Sequence, residues 1–147
     1  MDADFRDLLA ALLAHQVRFL IVGAHALAAH GVPRATGDLD VWVEPTSANA
    51  ARIWKALAAF GAPLDSLGIA ERDFSRPDIV VQFGLPPLRI DLLTGVSGLE
   101  FSEAWDDRLE ETVDAVRLPF LGRRSLIRNK LASGRPRDLA DLDALGG

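Results

Sequence analysis

Two short apolar runs, Arg18-Phe19-Leu20-Ile21-Val22 and Leu39-Asp40-Val41-Trp42-Val43, constrain this chain most. Each reads as a strand, closed by Gly23 in one case and broken by Pro45 in the other. Between them, Ala24 to His30 is Ala-rich and helical until Gly31-Val32-Pro33 stops it. A strand, a glycine turn, a short helix and a second strand in close succession point to a sheet flanked by helices.

The flanking sequence extends that pattern. Leu8, Leu9, Leu12 and Leu13 recur at helical spacing, which predicts an amphipathic helix from Asp4 to about His15, with Asp2 or Asp4 near its cap. Thr46 or Ser47 caps a long helix running to Phe60 and closed by Gly61. Ala62 to Pro77 carries turn residues and one short helix around Leu64–Ile69. Ile79–Phe83 and Leu88–Leu93 read as strands joined by a hairpin at Gly84-Leu85-Pro86-Pro87. A helix over Phe101–Glu111 and an edge strand near Val113–Leu118 follow. The last elements are helices over Ser125–Ala132 and from Pro136 to about Leu145, with Pro136 in a first turn where its missing N–H costs nothing. The order predicts an α/β (α+β) sandwich with a small mixed β-sheet, residues 1–147 forming one domain.

Composition narrows the function classes. The absence of cysteine excludes disulfides and thiolate metal sites and suits a cytoplasmic protein. The acidic opening Met1-Asp2-Ala3-Asp4 is unlike a signal peptide, and no apolar stretch approaches a spanning length, so no membrane role is expected. A net charge of −5 argues against a general nucleic-acid coat. Yet Arg123, Arg124, Arg128, Lys130, Arg135 and Arg137 put six of the 16 basic residues close together near the C-terminus, as a solvated face or a face for an anion.

Asp38 and Asp40 carry the chemistry. On a strand, alternate side chains share a face, so both carboxylates project together while Leu39 and Val41 turn to the core. Like charges held side by side call for a proton or a cation, and Mg2+ prefers hard oxygen ligands of this kind. Asp91 adds an acid to an otherwise apolar strand, and adjacent strands would bring all three together as a two-metal patch. The alternative for the same residues is that Asp38 caps a turn after Gly37 and Asp91 pairs with Arg89 or another basic group. His15, His25 and His30 are not spaced for one helix face and do not make a zinc set.

Val22-Gly23-Ala24, a spacer, and Asp38-Leu39-Asp40-Val41 together resemble the signature of the nucleotidyltransferase superfamily. Inside the spacer, His30-Gly31-Val32-Pro33-Arg34-Ala35-Thr36-Gly37 is similar to a stretch found in AbiEii-like and related small bacterial nucleotidyltransferases. Asp91 falls where that group carries its third acid, and Asn129 to Leu142 resembles its C-terminal Asn-Lys…Gly-Arg…Asp segment. The resemblance spans about residues 18 to 145. It implies a nucleotidyltransferase-like fold and metal-dependent transfer of a nucleoside monophosphate from an NTP to an acceptor. It further implies that Asp38 and Asp40 bind two Mg2+ ions (or Mn2+), that Asp91 binds the one activating the acceptor, and that Lys130 grips the triphosphate.

The remaining candidates for nucleotide binding are Gly23, Ala24, His25, Arg34 and Thr36. Gly23 lets backbone approach a phosphate, and Ala24 offers an N–H where the family usually carries Ser or Gly. His25 points a donor at phosphate or is an ordinary helix residue. Arg34 and Thr36 orient phosphate or acceptor, or else Arg34 bonds to backbone and Thr36 holds the turn before Asp38. Arg135 and Asp138 are expected to form an ion pair between the last two helices.

Three functions follow. The first is an NTP:acceptor nucleotidyltransferase, its acceptor tRNA, a protein or a small molecule, within a toxin–antitoxin or phage-defence pair that supplies a cognate partner protein. The second is a non-catalytic nucleotide- or partner-binding subunit, antitoxin-like or regulatory. The third is a nucleic-acid-binding domain using Arg123–Arg137, disfavoured by the acidic charge. A surface patch of Trp42 and Trp54 would suggest a homodimer, although both residues suit a core equally well.

Overall fold

The leucine spacing at the N-terminus builds α1 (Ala3–Ala14), whose first turn is closed by the Asp2 carboxylate accepting the Asp4 and Phe5 N–H groups. The computed structural model describes residues 1–84 and 88–146. β1 (Phe19–Val22) runs directly into α2 (Gly23–Ala29), and β2 (Asp38–Val43) follows. α3 (Ser47–Phe60) begins where Thr46 Oγ1 accepts the Asn49 N–H and ends at Gly61, left-handed at φ +92°.

A short α4 (Leu64–Leu67) and a 3-10 turn over Glu71–Ser75 lead to β3 (Val80–Phe83) and β4 (Arg89–Leu93). Then come α5 (Phe101–Asp106), β5 (Leu109–Val113), β6 (Val116–Phe120), α6 (Arg123–Ser133) and α7 (Pro136–Leu145). The strands form one mixed six-stranded sheet in the order β3-β4-β2-β1-β6-β5. β2 pairs parallel with β4 and antiparallel with β1, while β1 and β6 are parallel.

Strand alternation sorts the core into two faces. Phe19, Ile21, Leu39, Val41, Val43, Ile90 and Leu92 pack with α1 and α3 on one face. Leu20, Val22 and Trp42 pack on the other with Leu27, Phe101, Leu121 and Leu126. Asp38, Asp40 and Trp42 share this second face by period, as do Arg89, Asp91 and Leu93. Among the described residues, no helix is long and apolar enough to cross a membrane.

The sheet, the helical flanks and the antiparallel pairing of β3 with β4 match the sequence expectation, although the tip of that hairpin, Leu85 to Pro87, lies outside the described residues. Residues 101–120 do not match. The helix expected to reach Glu111 stops at Asp106, and Leu109–Val113 is a strand. The edge strand expected near Val113–Leu118 is instead the end of β5, a turn and the start of β6. That turn is made by Asp114 and Ala115, both at positive φ (51° and 66°), the geometry that suits the twist of a two-residue hairpin. β5 is therefore the edge, and β6 lies inside the sheet against β1. The short helix expected over Leu64–Ile69 closes at Leu67, where Gly68 turns left-handed. Trp42 is buried and Trp54 packs half-buried against the other core cluster, so the two do not form a surface patch.

Candidate functional site

The parallel pairing of β2 and β4 sets Asp40 directly opposite Asp91, and Asp38 opposite Arg89. Both strands present these side chains to the same face at their N-terminal halves, where the apolar pattern gives way to charge. Asp91 is buried and Asp40 is partly so. Burial, the charge of Asp91, a hydrogen bond shared with that carboxyl and the charge of Asp38 push the Asp40 carboxyl up to about 6 against the pull of Arg89. The Asp40 carboxyl therefore takes up a proton at higher pH than an ordinary aspartate does.

Arg89 reaches across this group. Its Nη2 donates to Asp38 Oδ2 at 3.1 Å, and its Nε lies 3.2 Å from Asp91 Oδ1. The second contact is not aligned for donation, which leaves the buried Asp91 Oδ1 without a hydrogen-bond partner. Gly23 closes the other side. It sits at φ +68°, and a Cβ there would collide with the Asp40 carboxylate, so only glycine lets β1 turn into α2 this close to the acid.

Asp38, Asp40 and Gly23 line a cleft of about 570 Å³ that is also lined by the basic Arg34, Lys130, Arg135 and Arg137 together with Asn129 and Ser97. The cations of the wall are already organised. Lys130 is buried, its Nζ 3.0 Å from Asp141 and 3.4 Å from Asp138. Arg34 donates to both carboxylate oxygens of Asp141. Burial alone would raise the Asp141 carboxyl, but hydrogen bonds from Arg34 and Lys130 outweigh it and hold it below the ordinary range. The Arg135 side chain holds Asp138 low as well, with Arg135 Nε donating at 2.8 Å.

The structure therefore brings Asp38, Asp40, Gly23, Ala24, Arg34, Thr36 and Lys130 to one cleft, with Asp91 beneath it in register with Asp40. Thr36 Oγ1 accepts the Asp38 N–H at 3.0 Å, so it holds the turn entering β2. His25 is not brought there. Its ring packs edge-on to Phe5 and lines a separate hollow with Met1 and Phe120, its Nε2 buried without a partner and its pKa lowered chiefly by burial. Lys130, the residue expected to grip a triphosphate, is one corner of a buried charge network with Asp138 and Asp141. The expected Arg135–Asp138 ion pair is present, but it lies within the first turn of α7; the charged link between α6 and α7 is Lys130 with Asp138 and Asp141.

Asp141 and Arg89 are the residues that motif reading underweights. Asp138 and Asp141 stand three apart beside the buried Leu142 on α7, an acid pair on the inward face of an amphipathic helix. The basic run does not form one open patch: Arg123 bonds to the Leu145 carbonyl, Arg128 to Glu103, and Lys130 and Arg135 to buried acids.

The donor set suits a hard divalent cation in chemistry, with a carboxylate pair in register and a buried oxygen lacking a partner. As the side chains lie, however, no group of three His, Asp or Glu residues among those described is arranged to hold a metal, and Asp38 is paired with Arg89. Asp40 and Asp91 are the pair that fits. A slightly larger cleft, about 620 Å³, opens on the opposite face among Phe5, Phe60, Phe83 and Ile90. Its described lining holds Asp4 as the sole ionisable group, so the chemistry belongs to the polar cleft.

No family model and no curated protein matches the sequence. Among solved structures, a candidate nucleotidyltransferase of Thermotoga maritima superposes with a TM-score of 0.65 at 14% identity, covering 95% of this chain and 88% of that one. The likeness does not reach as far as the AbiEii-like subgroup; it does establish that this chain adopts the nucleotidyltransferase fold.

Proposed function

We propose that this protein is a metal-dependent nucleotidyltransferase that moves a nucleoside monophosphate from an NTP to an acceptor. The observation that carries the reading is the Asp40–Asp91 pair, in register on adjacent strands, with Asp40 lining a cleft that basic side chains also line. Phosphoryl transfer asks a protein mainly for positioning and charge neutralisation, and an acidic floor opposite fixed cations supplies both. Asp40 and Asp91, joined by Asp38, would hold Mg2+ or Mn2+ as one ion or two; when bound, the metal neutralises the polyphosphate and makes the acceptor hydroxyl more acidic.

The chain's own residues do the rest. Gly23 keeps a side chain away from Asp40, leaving the β1–α2 backbone open to the cleft. Arg34 and Lys130, aligned by Asp141, present positive charge from the wall, and Arg135 and Arg137 extend it. In the reaction the acceptor hydroxyl loses its proton to solvent as its oxygen attacks the α-phosphorus, the bond to the bridging oxygen breaks, and pyrophosphate leaves. The acceptor class (RNA, protein or small hydroxylated compound) and a place in a toxin–antitoxin or phage-defence pair belong to the same proposal.

A second reading, a nucleotide- or partner-binding subunit without turnover, draws on Ala24 in place of a hydroxyl side chain and on Arg89 seated among the acids. Incubation with each α-labelled NTP, Mg2+ and either total RNA or lysate protein separates the two. Label transfer that disappears in Asp40→Asn and Asp91→Asn is the expected result. Nucleotide binding with no transfer to any acceptor class would favour the second reading.

A further inference from the structure

We propose that Arg89 is an internal counter-ion that occupies the acidic floor in place of a divalent cation and gives it up when the cation binds. The inference rests on the metal-binding reading of Asp38, Asp40 and Asp91. Arg89 stands two residues before Asp91 on β4 and opposite Asp38 on β2, so strand period and register place its guanidinium between two of the three acids. The Asp38 carboxylate is thereby engaged by Arg89, and no group of three carboxylates among the described residues is arranged for a metal, although the Asp38 charge still reaches Asp40.

The two occupants exclude each other. Mg2+ sits about 2.0–2.1 Å from a carboxylate oxygen, which would put two positive charges beside a guanidinium that lies 3.1 Å from Asp38 Oδ2. The Arg89 side chain is 44% exposed, so it has solvent to turn into, and its contact with Asp91 is unaligned and simple to break. A polyphosphate arriving with the cation gives the displaced guanidinium an anion to meet, which its fork of donors suits. Arg89 thus weakens cation binding to the protein alone and makes occupancy of the floor depend on the anionic substrate.

The test is Mn2+ binding to the nucleotide-free protein, read from the electron paramagnetic resonance signal of free Mn2+. Arg89→Met keeps the apolar stem and removes the charge; its Mn2+ affinity is expected to rise at least about tenfold, as loss of a like charge close to the ion requires. Arg89→Gln should give the same direction, and either variant serves if circular dichroism shows the other unfolded. Adding Asp40→Asn should abolish the gain. An unchanged or weaker affinity in the Arg89 variants overturns the inference, as does a gain that survives Asp40→Asn. Wild-type Mn2+ binding that needs Asp40 but ignores Arg89 would sink the counter-ion role alone, leaving the metal-binding reading intact. No Mn2+ binding in any of these proteins would sink both.

Discussion

Asp40 carries the sharpest electrostatic conflict in the molecule, and the sign of its effect on stability can be worked out. Its carboxyl is raised from an ordinary 3.8 to about 6, by burial first and by Asp91 next. Between those values the folded chain binds more protons than the unfolded one, so stability falls as pH rises through the window. Below about 4 both states hold the proton and there is no penalty; above about 6 the penalty is complete. Asp40→Asn removes the charge and lets an amide donate to Asp91. In metal-free buffer the variant should be more stable than wild type at pH 8 by about 1 kcal/mol after allowance for solvent screening, and the gain should vanish near pH 4. Urea titrations at the two pH values measure it, and equal stability at pH 8 would refute the conflict. Gly23 makes the converse case. Gly23→Ala combines positive-φ strain with a Cβ in the Asp40 carboxylate, and a loss of about 2 kcal/mol or more is expected in the same assay.

At the scale of elements, legibility followed the strength of the local pattern. β2 could be read because its burial alternates until Trp42, which places two acids on one face and Leu39 and Val41 on the other. α1 and α3 could be read from spacing and caps. β5 offered no such signal: its side chains are half-buried or exposed throughout, and its hairpin turn uses Asp114-Ala115 where Asn-Gly would have advertised it. α7 shows what pattern alone leaves out. Its position and its Arg135–Asp138 pair were legible, but the inward acids Asp138 and Asp141 acquire their meaning only when Arg34, from a loop more than a hundred residues earlier, meets Asp141. Asp141→Ala would leave Arg34 and the buried Lys130 without that carboxylate. A loss of about 3–5 kcal/mol is expected by chemical denaturation, with α7 amides exchanging faster than those of α1. A change below about 1 kcal/mol would mean that the network adds little to holding α7.

Across the whole molecule, the sheet divides labour between its faces. The face against α1 and α3 carries aliphatic and aromatic side chains, whereas on the other the apolar residues of β1 and Trp42 give way to the cleft where β2 turns acidic. The three acids could be grouped from the sequence, but that Asp40 stands opposite Asp91 while Asp38 meets Arg89 required the β2–β4 register. A fold that keeps like charges together in the absence of ligand stores a bias toward whatever neutralises them. Stability and ligand response should therefore move in opposite directions. Wild type with Mg2+ and a non-hydrolysable NTP at about 100 times its dissociation constant should gain about 2.7 kcal/mol, a rise of several degrees in Tm. Asp40→Asn, the more stable protein without ligand, should gain little, so the two melting curves cross in order as ligand is added. Differential scanning fluorimetry with and without Mg2+ reads this directly. Parallel shifts in both proteins would place the nucleotide somewhere other than the Asp40–Asp91 floor.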